Sequence, residues 1–120
     1  MSKTAMPPSL LRIRINHAGD TALGPGKIEL LQMIARHGSI SAAAKQMKMS
    51  YRRAWELVDV MNRCFDQAVV VSTAGGTHGG GAQVTEFGQA LIAAYQQILE
   101  KSAQAAANEL HLITRHLKKN

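Results

Sequence analysis

A single cysteine, Cys64, excludes an internal disulfide and any zinc site built from several cysteines. Its place late in a helical stretch suits a small buried apolar residue, not a reactive one. Aromatic residues make up only 4% of the 120-residue chain, so its core has to be built from aliphatic side chains and alanine. No run approaches the roughly 20 apolar residues that span a bilayer, and the start lacks the apolar block of a secretory signal. Neither a membrane nor an export route is therefore expected, and the expected location is cytoplasmic. Hydrophobic residues at 46% and charged ones at 18% are ordinary for a folded chain and argue against disorder along most of it. The length suits one compact domain with an extension, and no internal repeat is visible.

What the chain has is an uneven charge. Up to Arg53 nine Lys and Arg oppose only Asp20 and Glu29, net +7, whereas from Ala54 onward five oppose six acids, net −1. A basic front half suits a polyanion such as nucleic acid or an anionic membrane surface. Cations that serve only solubility are the bland alternative.

Residues 1–9, with Pro7 and Pro8, read as a flexible N-terminus, residues 10–86 as the domain, and residues 87–118 as one long helix. Residues 10–16 alternate, with Leu11, Ile13 and Ile15 on one face and Arg12 and Arg14 on the other, the period of a half-buried strand. The following HAGDTALG reads as a turn. Pro25 and Gly38 then bracket a helix with Ile28, Leu31, Ile34 and Ala35 as its apolar stripe. Ser41 can cap a short helix over residues 42–48, and Ser50 a longer one to about Phe65, turning Ala54, Leu57, Val58, Met61 and Phe65 inward. Residues 69–73 and 82–84 read as strands of a hairpin around a glycine-rich loop, and Thr85 can cap the last helix, which meets no Pro or Gly after Gly88.

Two helices joined by a tight turn, the second opening Ser50-Tyr51-Arg52-Arg53, suit a helix-turn-helix whose second helix enters the DNA major groove by its N-terminal end. Arginine can grip guanine edges or phosphate, and the serine caps with nearby amides can hold phosphates at helix starts. Lys45 adds a cation to the same surface. An ordinary three-helix bundle with a solvated arginine pair is the competing reading. Tyr51 and Trp55 lie one turn apart, and the expectation is Tyr51 at the DNA and Trp55 in the core. Gly75 to Gly81 lack the lysine of a nucleotide-binding loop and sit between strands, so they read as a wing tip, with a plain flexible hairpin as the alternative. His111 and His116 are five apart, on different helix faces, and no cluster of metal-binding residues joins them, so no metal and no cofactor are expected.

From Ile92 the positions Gln96, Leu99, Ala103, Ala106, Leu110, Ile113 and Leu117 follow steps of four and three, a heptad seam. Beside it run Leu91, Tyr95, Ile98, Ala105 and Leu112. So small a domain covers such a stripe only in part, which calls for a homodimer, or else for a different protein as partner.

The stretches GSISAAAKQMKMSYRRAWELVDVMN and STAGGTHGGGAQVTEFGQALIAAY resemble the N-terminal domain of ModE-type molybdate-responsive transcriptional regulators, over roughly Leu11 to Tyr95. The first also resembles LysR-type regulators, whose recognition helix and wing look different. The resemblance implies a mainly α (α+β) winged helix-turn-helix that dimerises through a long helix and binds palindromic operators of molybdenum-related genes. By position it places Ser41, Ser50, Tyr51, Arg52, Arg53 and the wing residues Gly76, Thr77 and His78 near DNA. Where related wings often carry a lysine, this chain has Thr77-His78. Molybdate-sensing members use C-terminal oxyanion-binding domains, so molybdate is not an expected ligand of this chain alone. An oxyanion carrier or a protein-interaction module on the same fold are the alternatives, and no set of nucleophile, base and orienting group points to an enzyme.

Overall fold

The computed structural model describes residues 10–76 and 79–119. At the start Leu11, Ile13 and Ile15 are half-buried while Arg12 and Arg14 are exposed, as the alternation requires. Ladder pairing is confined to β1 (Ile15–His17) and β2 (Asp20–Leu23), which are antiparallel with His17 opposite Asp20. The stretch expected as a turn therefore contains the return strand of a tight hairpin. Its two-residue turn holds Ala18 at φ 49° and Gly19 at φ 87°, the mirror-image geometry that matches strand twist.

Helix α1 (Pro25–His37) has Pro25 in its first turn and ends where Gly38, at φ 80°, donates its N–H to the Ile34 carbonyl at 2.8 Å. Ile28, Leu30, Leu31 and Ile34 are buried. Ala35, expected in the stripe, is exposed. The covered face instead reaches round to Leu30, because α1 is packed on several sides, by the three helices that follow it and by a strand.

Helix α2 (Ile40–Gln46) starts at Ser39, whose Oγ accepts from the Ala42 N–H at 3.0 Å. Ser41 is thus not the cap. It lies inside the first turn, because Gly38 turns the chain so that Ser39 takes the extended backbone a cap needs. The helix ends in a Schellman motif: Met49 N–H donates to Ala44 O at 3.0 Å and Lys48 N–H to Lys45 O at 3.2 Å. Lys48 occupies the left-handed position, φ 58°, where glycine is usual. Ser50 then caps α3 (Tyr51–Cys64), accepting from Arg53 N–H at 3.0 Å, with Ala54, Val58 and Met61 buried.

Strands β3 (Val70–Gly76) and β4 (Gly79–Val84) pair from Val70 opposite Val84 out to Gly76 opposite Gly79, with an irregular register between Thr73 and Gly76. Pairing runs well into the glycine-rich segment expected as a loop. Thr77 and His78 lie outside the described residues. The hairpin's root is fixed to the rest: Ala82 N–H donates to Gly38 O at 2.9 Å, and Asn62 of α3 accepts from Val69 N–H at 2.7 Å while donating to Val70 O at 3.1 Å.

Thr85 caps α4 (Glu86–Ala105), accepting from Gly88 N–H at 2.9 Å. Phe65 and Phe87 meet edge to face, centroids 5.7 Å apart, which closes the end of α3 onto the start of α4. The single helix expected over residues 87–118 is interrupted. Ala106, at φ −102° and ψ 20°, separates α4 from α5 (Ala107–Thr114), and helix ends at Thr114. No proline or glycine marks the break. Ala106 N–H still donates to Ser102 O at 3.0 Å and Leu110 N–H to Ala106 O at 2.8 Å, so the irregularity is confined to that one residue.

Candidate nucleic-acid interface

The buried stripe of α3 fixes what its other side presents. With Ala54, Val58 and Met61 inward, the N-terminal half turns Tyr51, Arg52, Arg53, Trp55 and Glu56 to solvent. Tyr51 is 55% exposed and Trp55 48% exposed, so Trp55 is not a core residue. It stands one turn beyond Tyr51 on the same outer side, where a helix read only for hydrophobicity would not leave it. Arg52 Nε lies 3.5 Å from Glu56 Oε2, an exposed i,i+4 pair worth a few tenths of a kcal/mol at most, so the guanidinium stays free to exchange partners. Arg53 has no carboxylate partner among the described residues.

Beside this face, Lys45 and Ser41 are exposed on α2, with the Ser41 hydroxyl 3.4 Å from that of Ser39. Lys48 projects from the turn between the helices. Gly76 is in the hairpin that extends from the same body, while Thr77 and His78 are not among the described residues. The structure thus gathers Ser41, Lys45, Ser50, Tyr51, Arg52 and Arg53 on two successive helices and the turn that joins them.

The seam residues separate into two groups. Ile92 is buried in the core with Tyr95, and Leu99 is partly covered there, so Ile92 is not available at the surface as the seam expects. Gln96 is exposed, and Ala103, Ala106 and Leu110 are half-covered. Ile113 and Leu117 are 57% and 58% exposed, and Leu112 of the same segment and Ile98 of α4 are exposed too. Cys64 is half-buried at the end of α3, and His111 and His116 are exposed. Among the described residues no three His, Cys, Asp or Glu converge as metal ligands, and no helix is long and apolar enough to cross a membrane.

One feature escaped the sequence reading. Arg12, Arg14, Lys27 and Arg53 line one open cleft of about 420 Å³ between the N-terminal segment, the start of α1 and α3. The alternation of residues 11–15 set both arginines on the outer face, but only the tertiary fold brings them to Arg53. Burial lowers the Lys27 ammonium below the ordinary lysine value, opposed by Cys64; Arg53 pushes it down again, Asp20 opposes and Arg14 adds to the lowering.

Three helices followed by a β-hairpin, with an exposed basic N-terminus on the third, define a winged helix-turn-helix. The sequence pattern of the bacterial regulatory helix-turn-helix proteins, lysR family, matches residues 26–89, and the chain belongs to that family. The match includes the recognition helix and the wing, the parts expected to differ from LysR-type proteins.

The chain is 41% identical over 101 residues to the molybdenum transport protein ModE of Azotobacter vinelandii, covering 84% of this chain and 37% of that protein. It is 43% identical over 88 residues to the molybdenum-pterin-binding protein MopA of Rhodobacter capsulatus, 73% and 33% of the two chains. To the DNA-binding transcriptional dual regulator ModE of Escherichia coli it is 40% identical over 81 residues, 68% and 31%. The matches span about a third of the length of these relatives. The chain is ModE-like in its helix-turn-helix.

Proposed function

We propose that the chain binds double-stranded DNA at palindromic operators as a homodimer and so regulates transcription, with molybdenum-related genes as its targets. The observation that carries the reading is the outward set Tyr51, Arg52, Arg53 at the capped start of α3. Nothing else in the fold needs those side chains, and the geometry is that of a helix entering a major groove by its N-terminus. Arg53 takes the base-reading role, Arg52 and Lys45 phosphate or base contacts, Ser41 and Ser50 with their helix-start amides phosphate contacts, and the wing at Gly76, Thr77 and His78 the flanking backbone.

Residues 10–86 act as the DNA-binding domain and the segment from residue 87 as the dimerisation arm. The support for the arm is the exposed apolar row Leu112, Ile113 and Leu117, with Leu110 beside it, on α5 and the residues after it. A second copy covers that row and supplies the two-fold axis that a palindromic site requires. The protein works where the DNA is, in the cytoplasm, as a regulator and not as an enzyme. The test is footprinting on DNA upstream of its own gene and its neighbours. Two protected half-sites about one helical turn apart are expected, and a uniform or absent footprint contradicts the reading.

A further inference from the structure

We propose that the cleft between the N-terminal segment, the start of α1 and α3 seats a phosphate-type oxyanion, and that its source is a backbone phosphate of the duplex held by α3. The inference rests on the DNA-binding reading and adds residues to it, Arg12, Arg14 and Lys27, of which the two arginines lie outside the matched residues 26–89.

Four cations reach the cleft from segments far apart in sequence. None of them is ion-paired among the described residues, and no acidic side chain lines the cleft. Helix α1 also starts there with no side-chain cap at Gly24 and no acidic residue in its first turn. The amides of Gly26 and Lys27 therefore have no intrahelical acceptor and face the positive end of the helix dipole. Space beside Gly26 is open, so its backbone is approachable, whereas at Gly24 a Cβ would stand 3.6 Å from Arg14 Cγ, showing the arginine stem laid across the helix start. Lys27 Nζ is held to the cleft wall by Thr21 O at 2.6 Å.

Burial is the chief cause of the lowered Lys27 value; Arg53 and Arg14 push it down further while Cys64 and Asp20 push it up, so mutual repulsion among the cleft's cations is present but partly offset. A bound phosphate relieves it and accepts hydrogen bonds from both guanidiniums and the free amides. The cleft is open, so water competes strongly with a small free ion. A duplex docked on α3 instead presents its phosphates at high effective concentration, with Arg53 common to the groove and the cleft.

The test compares wild type with the double variant Arg12→Gln/Arg14→Gln on a short duplex selected by the wild-type protein from a random pool. Both side chains are exposed, so circular dichroism and melting are expected to match wild type. The expected result is an affinity about tenfold lower, a salt slope reduced by about one per lost phosphate contact, and an unchanged sequence preference. In parallel, neutral methylphosphonate linkages are placed singly along the duplex. One position flanking the bases read by α3 is expected to weaken wild type but not the variant, and the single variants Arg12→Gln and Arg14→Gln are read the same way if the double variant folds poorly. If wild type binds the duplex while the variant matches it in affinity and slope, or every methylphosphonate position that weakens wild type weakens the variant equally, the cleft inference fails alone. If wild type binds no duplex, the DNA-binding reading fails and takes this inference with it. Titration with inorganic phosphate at fixed ionic strength, followed at the Gly26 and Lys27 amides, is expected to show no saturable site below millimolar. Saturation there at micromolar phosphate would assign the cleft to a free ion and overturn the DNA source.

Discussion

The hydroxyl of Tyr95, buried in α4, donates to the carbonyl of Ile13 at 2.5 Å across 82 residues of sequence. Ile13 stands between Arg12 and Arg14, so one bond from α4 fixes the N-terminal segment that carries both cleft arginines. Tyr95→Phe keeps the ring but leaves that carbonyl without its donor. It is expected to lower stability by about 1–2 kcal/mol and, by loosening the N-terminal segment, to weaken DNA binding modestly. Chemical denaturation checks the first and anisotropy titration the second; an unchanged denaturation midpoint would show that the bond contributes nothing.

Lys48 sits in the left-handed region at the end of α2, at φ 58°. An L-residue there carries a cost of about 1 kcal/mol that glycine avoids, partly offset by the greater freedom of glycine in the unfolded chain. Lys48→Gly is expected to raise stability by roughly 0.5 kcal/mol while reducing DNA affinity through the lost cation. A variant less stable than wild type contradicts the turn geometry.

Gly88 shows the reverse case. A Cβ there would meet Val69 O and Val84 Cγ1 at 2.6 Å each, so α4 begins against the wing's root only because that side chain is missing. Gly88→Ala is expected to cost about 1–3 kcal/mol despite alanine's better helix propensity. Thermal melts decide it, and a stabilised variant would mean that the α4 start lies farther from β3.

The proposed dimer has its own test in Ile113, which is 57% exposed, so its replacement does not disturb the core. Ile113→Lys, and with it Leu110→Lys, is expected to shift sedimentation toward monomer and to abolish tight binding to a two-half-site duplex. A wild type that is monomeric at tens of micromolar, or a variant that stays dimeric, contradicts the arm.

The sequence spoke most clearly where local chemistry and hydrophobic period agreed. Pro25 and Gly38 bracketed α1, Ser50 and Thr85 marked the starts of α3 and α4, and the outward arginines of α3 followed from its buried stripe. It was silent where a tertiary choice decided. Ala18-Gly19 lacks the asparagine that announces a mirror-image turn, so β2 is not legible, and Ser39, directly after the turn at Gly38, takes the cap expected of Ser41. Trp55 is apolar by composition but lies on the outer face of α3, and no local signal placed it there. The break at Ala106 has no proline or glycine to show it, and Asn62 looks like any helix-surface amide until β3 is laid beside it. The basic cleft joins residues about 40 positions apart in sequence, which no periodicity reveals.

The central claim, that the basic start of α3 reads DNA, is met most directly by titrating a selected duplex with wild type and Arg53→Ala over a range of salt concentrations. Two copies presenting Lys45, Lys48, Arg52 and Arg53 neutralise roughly six to eight phosphates, so a log affinity against log salt slope of about −5 to −7 is expected for wild type. Arg53→Ala should bind about 1–3 kcal/mol more weakly and discriminate less at one base position in each half-site. A nearly flat salt response, with Arg53→Ala binding as tightly and as selectively as wild type, would contradict the account.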